Sequence, residues 1–415
     1  MNIKYFYIFS LLLLSSCSNF LTWHLDKGIH KTKSPSTSTE ISTVSDIDTN
    51  YDISSKIIWT TSANEGIYGN TAYLNMKKVN NILYSVDTDG LISATSIKDG
   101  SIIWQVPTNY NVSSGISVFD DQICLGTMDA KLVCFSIKSL EMNSYIPLVS
   151  YIQNRATFAE ASTHIEIDLI TELASSIEMI NNLFLLKLDN DDLYLIDPVT
   201  QDIIWKSESQ NIPLRTKGAS RPGLYNNSVL IARDNGSISS YNQINGTLEW
   251  FTLITSRSGR NDLESQRDAE MDILIEDERL YYGHYQGDVT SLDLRTGDII
   301  WSSPFSLTNN LSIKNNSIFG TTTDNILISL DQASGFLNWK VKLDKAATEP
   351  FVLGKTVMIF SIDGVLSGYN IDTGKQVYKM DYGFDLHPRT KFIKDQNFVY
   401  FQSIDGDIIC LQVTQ

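Results

Sequence analysis

The amino-acid sequence predicts an all-β fold, an eight-bladed β-propeller made of four-stranded antiparallel blades. Two periodic features predict it: a tryptophan that ends a short apolar run, and a pair of turn residues between two apolar runs, both recurring about every 40 to 50 residues. A third observation is that the last repeat lacks a strand, whereas the first strand stands alone before any complete repeat. Four short strands in a repeat of that length are typical of a propeller blade.

The tryptophans mark the repeats. Six of the seven end an apolar run such as Ile-Ile-Trp, namely Trp59, Trp104, Trp205, Trp250, Trp301 and Trp339. A glycine commonly lies four residues earlier, and Tyr378 takes the same place after Gly374. The gap between Trp104 and Trp205 has room for two repeats, so we expect a hidden repeat to end near Tyr145. These large flat rings would pack between neighbouring sheets; an aromatic binding stripe is the alternative.

Pairs of turn residues give a second, independent count of the repeats. Eight pairs lie between apolar runs: Asp89-Gly90, Asp129-Ala130, Asp191-Asp192, Asn235-Gly236, Gln286-Gly287, Asp324-Asn325, Asp363-Gly364 and Asp405-Gly406. Such pairs favour tight hairpins because they tolerate a positive φ. Around Asn235-Gly236 the runs 228–232, 237–241 and 247–251 alternate in the way that strands of one meander do.

The two ends of the propeller region complement each other. The final run, 408–411, is a third strand without a fourth, and the run 56–60 has no strands before it. We expect the N-terminal strand to complete the last blade, which closes the ring and removes its exposed edges. Residues 51–415 are thereby predicted to form one propeller of seven complete blades and one composite blade.

The N-terminus has the features of a targeting signal. A basic start at Lys4 and an apolar run to Leu14 predict a signal peptide over residues 1–16. The residues Leu14-Ser15-Ser16-Cys17 resemble the bacterial lipobox, which implies cleavage before Cys17 and lipidation of that residue. Ser18, where Asp would retain the protein at the inner membrane, implies the outer membrane. Residues 17–50 then form a lipidated, flexible tether; the alternative is an ordinary signal peptide with a coincidental cysteine.

Charge and cysteine content exclude some classes of protein. With 48 acidic against 32 basic residues the net charge is −16, which disfavours binding to nucleic acid or to an anionic membrane surface. Four cysteines in so long a chain do not make a disulfide framework. Cys124 and Cys134 flank the Asp129-Ala130 hairpin: a two-residue turn would point them to opposite faces, and a bulge would pair them. We favour two buried thiols.

The Gly-x-x-x-Trp strand ends and Asp-Gly hairpins together resemble the repeat of pyrroloquinoline-quinone proteins, over about residues 52–415. That superfamily includes quinoprotein dehydrogenases and the BamB lipoproteins of the outer-membrane β-barrel assembly machinery. The lipobox, the length and the eight-blade count resemble the BamB branch.

Two segments carry a more specific likeness to BamB. Ile212-Pro213-Leu214-Arg215 with Gly218-Ala219-Ser220-Arg221-Pro222, and Asp268-Ala269-Glu270-Met271-Asp272, resemble the segments with which that family docks on BamA. The resemblance implies docking roles for Ile212, Leu214, Arg215, Asp268 and Glu270, although Pro213 and Glu270 depart from the family pattern. The alternative is a pair of surface loops with ordinary charges.

The resemblance also implies the partners and the location. These are BamA and the rest of the Bam complex, unfolded outer-membrane proteins bound by β-augmentation, and the periplasmic face of the outer membrane.

Enzyme chemistry has little support in the sequence. A quinoprotein dehydrogenase needs a quinone bed, a Ca²⁺ site and an Asp base, and many contain adjacent cysteines, which this sequence lacks. The five histidines have no metal-ligand spacing. We therefore expect a non-catalytic scaffold without catalytic residues, metal or cofactor. The alternative is a periplasmic quinone-dependent enzyme or a ligand-binding propeller. An insertion at 150–173, assigned to the third repeat, could form a short helix or an extra strand.

Overall fold

A computed structural model describes residues 53–64, 74–144, 163–209, 220–254 and 271–415. Within these ranges, four-stranded antiparallel sheets repeat eight times. In every sheet the four strands, called A to D here, lie side by side in one consistent order. The eight-bladed propeller that the sequence predicts is confirmed.

The first four blades follow the chain from residue 77. Blade 1 contains β2 (Lys77–Val79), β3 (Ile82–Val86), β4 (Leu91–Ser96) and β5 (Ile102–Pro107). Blade 2 contains β6 (Ser117–Phe119), β7 (Gln122–Gly126), β8 (Lys131–Ser136) and β9 (Thr163–Asp168), with helix α1 (Ile137–Ser144) after β8. Blade 3 contains β10 (Glu178–Ile180), β11 (Leu183–Lys187), β12 (Leu193–Ile196) and β13 (Ile203–Ser207). Blade 4 contains β14 (Gly223–Tyr225), β15 (Ser228–Arg233), β16 (Ser237–Asn242) and β17 (Leu248–Leu253).

The remaining blades complete the ring. Blade 5 contains β18 (Leu274–Glu276), β19 (Arg279–Gly283), β20 (Val289–Asp293) and β21 (Ile299–Ser303). Blade 6 contains β22 (Ser312–Lys314), β23 (Ser317–Thr321), β24 (Ile326–Asp331) and β25 (Leu337–Lys342). Blade 7 contains β26 (Phe351–Leu353), β27 (Thr356–Phe360), β28 (Val365–Asn370) and β29 (Gln376–Asp381). Blade 8 contains β30 (Ile393–Asp395), β31 (Phe398–Gln402), β32 (Asp407–Thr414) and β1 (Ser54–Ser62).

Ring closure is the one the sequence predicts. Strand β1 pairs antiparallel with β32, from Ser54 opposite Thr414 to Ser62 opposite Asp407. Both strands are longer than the predicted runs, so the closing ladder is long. Each backbone hydrogen bond in it helps to hold the ring shut.

Tryptophans join several of the blades to the next one. In five junctions the indole ring of strand D lies under a positive-φ glycine of the following blade: Trp59 with Gly100, Trp205 with Gly246, Trp250 with Gly297, Trp301 with Gly335 and Trp339 with Gly374. The indole Nε1 of Trp250 donates to the Leu294 carbonyl at 3.0 Å, and the other four make the equivalent bond. A glycine four residues before a tryptophan, such as Gly297 before Trp301, therefore packs against the tryptophan of the preceding blade.

The fourth strand of blade 2 does not lie near Tyr145, so that prediction is wrong. Strand C ends at Ser136, α1 follows, and strand D is β9, in which Ile165 stands opposite Cys134 where other blades place the aromatic ring. Because strand D of blade 2 has no tryptophan, the sequence lacks the residue that marks this strand in most other blades. The insertion consequently belongs to the second repeat, between strands C and D, and residues 145–162 lie outside the described residues.

The prediction of two free thiols at Cys124 and Cys134 is also wrong. The two residues pair directly across β7 and β8 and form a disulfide. The hairpin has three residues rather than two: Thr127 N donates to Lys131 O, and Ala130 adopts a φ of 56°. The extra turn residue shifts the register by one and brings both cysteines to the same face.

The disulfide takes the place of an aromatic contact. In blades 1, 5, 6 and 8 an aromatic residue of strand B lies against the tryptophan of strand D, with ring centroids 5.8 to 6.0 Å apart. Blade 2 has Cys124, Cys134 and Ile165 in that row. A covalent link across two strands stands where those four blades have a pair of tilted rings in contact. Among the described residues, no helix has both the length and the apolar composition needed to span a bilayer.

Candidate functional site

The described residues on either side of the two predicted docking segments lie on one face of the propeller. In each blade strand A leads away from this face and strand D returns to it, so the D-to-A connections and the B–C hairpins lie there together. We call it the loop face, and we call the opposite face, with its A–B and C–D turns, the turn face. Segment 210–219 connects blades 3 and 4, and segment 255–270 connects blades 4 and 5.

The predicted site residues themselves lie outside the described residues. They are Cys17, Ile212, Leu214, Arg215, Asp268 and Glu270. The structure describes the residues on either side of both docking segments, and these residues determine where the segments leave and rejoin the propeller.

The two residues that flank segment 210–219, Ser209 and Ser220, are both held by hydrogen bonds. Before it, the backbone N–H of Ser209 donates to the Asp192 carboxylate at 2.7 Å. After it, the hydroxyl of Ser220 accepts a hydrogen bond from Lys187 Nζ at 2.7 Å. Lys187 is fully buried and pairs with Asp191 at 3.3 Å. A buried ammonium needs such partners, so this end of the segment is anchored on a charged pair inside the ring.

The residues on either side of segment 255–270 are held in a similar way. The N–H of Ile254 donates to the Gly236 carbonyl at 3.0 Å, which ties the start of the segment to a hairpin of its own blade. At its end, Met271 is buried in the core between blades 4 and 5. The backbone N–H of the next residue, Asp272, donates to Oδ1 of Asn310 at 2.9 Å.

Arg221 and Asp272 join the ends of the two segments. The guanidinium Nη2 and Nε atoms donate to Asp272 Oδ2 at 2.8 and 3.1 Å, and the Arg221 backbone N–H donates to Oδ1 at 3.0 Å. Charge-assisted bonds of this kind are stronger and more directional than neutral ones. The two segments therefore rejoin the propeller at adjacent points of the loop face.

The same ion pair belongs to a larger cluster along the central channel. Strand A is the inner strand, since the A strands of neighbouring blades contact each other, as β2 does β6 and β22 does β26. Six residues on or just before strand A of blades 3 to 8 form what we call the channel network: Glu178, Arg221, Asp272, Asn310, Glu349 and Lys391.

Ion pairs cross the channel in this network. Lys391, in front of blade 8, donates to the same Asp272 oxygen that Arg221 binds. Glu349, in front of blade 7, accepts from the Asn310 amide at 2.8 Å and from the Phe392 backbone N–H at 3.4 Å. Contacts between blades that are not neighbours brace the inner ring from within.

The cluster shifts the pKa of its carboxyl groups in opposite directions. Burial alone would raise the pKa of Asp272, but Lys391 and Arg221 outweigh it and hold that pKa well below its usual value. Burial raises the pKa of Glu349 by more than Lys391 and the hydrogen bond from Asn310 lower it. Burial likewise raises the pKa of Glu178 in spite of Arg221.

This set of residues does not fit a Ca²⁺–quinone centre. Ca²⁺ takes six to eight oxygen ligands, roughly, and needs carboxylate oxygens that are available to it. Both Asp272 oxygens accept hydrogen bonds from Arg221, and Lys391 adds another to Oδ2. Within the described ranges, no group of three or more His, Cys, Asp or Glu side chains is placed to hold a metal ion. The arrangement is that of a structural ion network.

Sequence reasoning gave no role to the channel network. Arg221 and Asp272 belong to the two BamB-like segments, but the motifs alone assign neither residue a role. Glu349 and Lys391 lie in repeats far along the chain, and each acts only through partners from other blades. A usable signal was their shared position, just ahead of strand A in successive repeats.

Comparison with known sequences identifies the family. A family model described as outer membrane protein assembly factor BamB matches residues 161–341 and 325–415. The BamB proteins of Legionella pneumophila, Yersinia pestis and Escherichia coli are 26%, 21% and 20% identical to this chain. The alignments cover 76%, 77% and 80% of this chain and 78%, 79% and 83% of theirs.

Solved structures show the same fold. The crystal structure of BamB from Moraxella catarrhalis matches with a TM-score of 0.71 at 17% identity, over 86% of this chain and all of that one. The quinohemoprotein alcohol dehydrogenase of Comamonas testosteroni matches with a TM-score of 0.66 at 10% identity, over 86% of this chain and 76% of that one. Both likenesses concern the fold alone. Because the family model covers residues 161 to 415, which is more than half of the sequence, this chain belongs to the family of the outer membrane protein assembly factor BamB.

Proposed function

We propose that this chain is a non-catalytic scaffold of the outer-membrane protein assembly complex that docks on BamA and aids the insertion of β-barrel proteins. The dock consists of Ile212, Leu214 and Arg215 from one segment and Asp268 and Glu270 from the other. An apolar anchor with a charged rim is the usual make-up of a protein interface.

The observation that carries the proposal is the Arg221–Asp272 ion pair. Arg215 lies six residues before Arg221, and Asp268 lies four residues before Asp272. Arg221 and Asp272 each follow the end of one segment, and they lie about fifty residues apart in the sequence. Because the ion pair joins them, the two segments rejoin the ring at one place on the loop face. That favours a single composite surface over two unrelated loops.

The anchor completes the proposal. We propose that residues 1–16 are a signal peptide, that Cys17 carries lipid at the periplasmic face of the outer membrane, and that residues 17–50 tether it to a propeller of residues 51–415. Several acyl chains on one residue give stable anchoring, since each buried CH₂ adds about 0.8 kcal/mol.

The dock is tested by reversing its charges. The full-length lipoprotein carrying Arg215→Glu and Asp268→Lys is expressed in cells and purified from detergent-solubilised membranes, and the BamA that accompanies it is quantified. We expect recovery of BamA to fall at least tenfold, because truncating or reversing a central charge costs more than about 1.4 kcal/mol of binding.

The matched control reverses charges on the turn face. Arg295→Glu with Asp372→Lys alters two exposed residues of C–D turns and keeps the same net charge as the test variant. BamA recovery with this control should equal that of the wild type. Undiminished recovery with Arg215→Glu and Asp268→Lys would contradict the proposed dock.

A spectroscopic measurement separates the scaffold from a quinoprotein. Pyrroloquinoline quinone and Ca²⁺ are added to the purified chain, and the quinone absorbance and the melting temperature are recorded. The scaffold proposal expects neither to change. A shifted quinone band together with a raised melting temperature would support a cofactor-dependent enzyme instead, since a ligand that binds only the folded state stabilises it.

A further inference from the structure

Strand B of blade 3 contains a charge that its counterparts lack. In every blade a residue of strand B pairs with the strand-C residue six positions later, beside the hairpin, and in blade 3 this residue is Lys187. The other seven blades have uncharged residues there: Val86, Gly126, Ala232, Gly283, Thr321, Phe360 and Gln402. The blade architecture therefore does not require a lysine at this position.

Lys187 and its partner Asp191 form an ion pair that is closed to solvent. Their side chains are 0% and 3% exposed, and Lys187 Nζ lies 3.3 Å from Asp191 Oδ1. The ammonium also donates to Ser220 Oγ at 2.7 Å and to the Ala232 carbonyl at 3.1 Å. Removing two charges from water is costly, and neutral residues of similar volume often give equal stability. Stability alone is therefore a poor explanation for this pair.

Arg233 of blade 4 contacts the same hairpin. It is 4% exposed, and its Nη1 and Nη2 atoms donate to the Asp191 carbonyl at 2.5 Å and to Ser207 Oγ at 3.0 Å. The backbone N–H of Asp234 donates to Asp191 Oδ2 at 2.7 Å. Because residues of both blades contact Asp191, its position is closely determined.

The charged residues of this region contact both flanks of segment 210–219. We call them the buried charge cluster: Lys187, Asp191, Asp192 and Arg233. Before the segment, Ser207 accepts from the arginine, and the N–H of Ser209 donates to the second aspartate. After the segment, Ser220 accepts from the lysine. One cluster thus sets the points at which the chain leaves and rejoins the propeller.

We propose that Lys187 is a positioning residue for the dock on BamA. This rests on the proposed function, because the segment concerned carries Leu214 and Arg215. Lys187 is fully buried and cannot itself contact a partner. Through Ser220 and Asp191 it holds the flanks of the segment, so that the docking residues start from fixed points. Preorganisation of this kind lowers the entropy lost on binding and so raises affinity.

A neutral pair of similar volume tests the role of the cluster. Lys187→Met with Asp191→Asn removes both charges together, so no buried charge is left alone, and the asparagine tolerates the φ of 65° at position 191. The variant should melt close to the wild-type temperature. The purified full chain is digested with trypsin, and the rates of cleavage at individual sites are measured.

The expected change is confined to one segment. Cleavage after Arg215 and Lys217 should be at least about fivefold faster in the variant, because local opening controls access of the protease. Cleavage after Arg257 and Arg260, in segment 255–270, should keep its wild-type rate and serves as the internal control. Equal rates after Arg215 and Lys217 in the two proteins would overturn the positioning role.

Photocrosslinking in cells links the cluster to docking. With the photoreactive amino acid at Leu214, the yield of BamA adducts should fall at least about fivefold in the double variant, and the yield from Asp268 should not change. A merely structural role would not distinguish the two positions. An unchanged yield from Leu214 would contradict the positioning role. A wild type without adducts from Leu214 would contradict the dock itself, and the protease rates would still decide whether Lys187 positions the segment.

Two single variants complete the test. Gln402→Met changes the same strand position in blade 8, so it should leave the protease rates and both adduct yields at their wild-type values. Ser220→Ala removes only the hydroxyl that Lys187 binds and keeps every charge, so it tests the proposal even if the double variant does not fold. It should lower the adduct yield from Leu214 at least about twofold, and no fall would contradict the proposal.

Discussion

The guanidinium of Arg221 and the carboxylate of Asp272 lie 2.8 Å apart and connect the ends of two segments that a whole blade separates in sequence. Lys391 reaches the same carboxylate from the far side of the channel. A local feature of the loop face is in this way coupled to the inner ring of the propeller, so changes at Asp272 should affect both stability and the proposed docking.

Asp272→Ala should reduce the free energy of unfolding by about 2 kcal/mol, because it removes the carboxylate that two partly buried cations share. Urea unfolding followed by tryptophan fluorescence measures it. Asp372→Ala, which removes an exposed carboxylate, should change the free energy by less than about 0.5 kcal/mol. BamA recovery should also fall with Asp272→Ala although this residue makes no contact in the proposed dock. An effect no larger than that of Asp372→Ala would show that the ion pair does not brace the ring.

Glu349→Gln should change how stability depends on pH. The folded-state pKa of Glu349 is raised by burial. The stability it contributes is therefore fully present below its unfolded pKa and lost as pH rises through the folded pKa. A glutamine stays neutral, so the variant should gain stability relative to the wild type as pH rises above about 4.3, the ordinary pKa of a glutamate. Urea unfolding at several pH values measures this difference, and a difference that stays constant would contradict a raised pKa.

Gly297→Ala should destabilise the junction of blades 4 and 5. A Cβ there would lie 2.5 Å from Cε3 of Trp250, and the residue has a φ of 74°. We expect a cost of about 3 kcal/mol from strain and overpacking together. Gly383→Ala separates the two terms, because its φ is 67° but nothing lies within 4 Å of its Cβ. That control should cost only about 1 kcal/mol in chemical denaturation, and equal costs would mean that the ring contact does not matter.

Replacing both Cys124 and Cys134 by serine should lower the free energy of unfolding by about 2 to 3 kcal/mol, because the short loop they close is no longer constrained in the unfolded chain. Dithiothreitol should lower the melting temperature of the wild type and leave that of the double variant unchanged. Cys410→Ser, at a buried free thiol, should keep the wild-type response to the reductant. A wild type that does not respond would show that the two thiols are not joined.

The sequence was sufficient for most of the fold. Trp250 and Asn235-Gly236 each mark one place in a repeat, because a blade needs a filler at its junction and a positive φ at its hairpin. The same reasoning fixed the closure through β1, since a strand without neighbours and a blade without a fourth strand complete each other.

The fourth strand of blade 2 was misplaced because the sequence features that mark it in other blades are all absent. Ile165 replaces the tryptophan, α1 replaces the glycine turn, and the insertion before β9 hides the interval. The disulfide was missed for a local reason: the turn at Ala130 has one residue more than a tight hairpin, and a single residue reverses which side chains share a face.

The channel network could not be read from any one stretch of sequence. Arg221, Asp272 and Lys391 are isolated charges in different repeats, and only the closure of the ring brings them together. The proposed docking residues, in contrast, were identified from the sequence and not from the structure. Arg215 and Asp268 came from a resemblance, and the structure describes the ends of their segments and not the residues themselves.

Site-specific photocrosslinking in intact cells tests the central claim most directly. A photoreactive amino acid is placed at Leu214, at Asp268 and, as a control on the turn face, at Arg295, and the adducts are probed for BamA. A scaffold that docks through its loop face should give BamA adducts from positions 214 and 268 and none from position 295. No BamA adduct from either loop-face position, or equal yields from all three, would contradict the account.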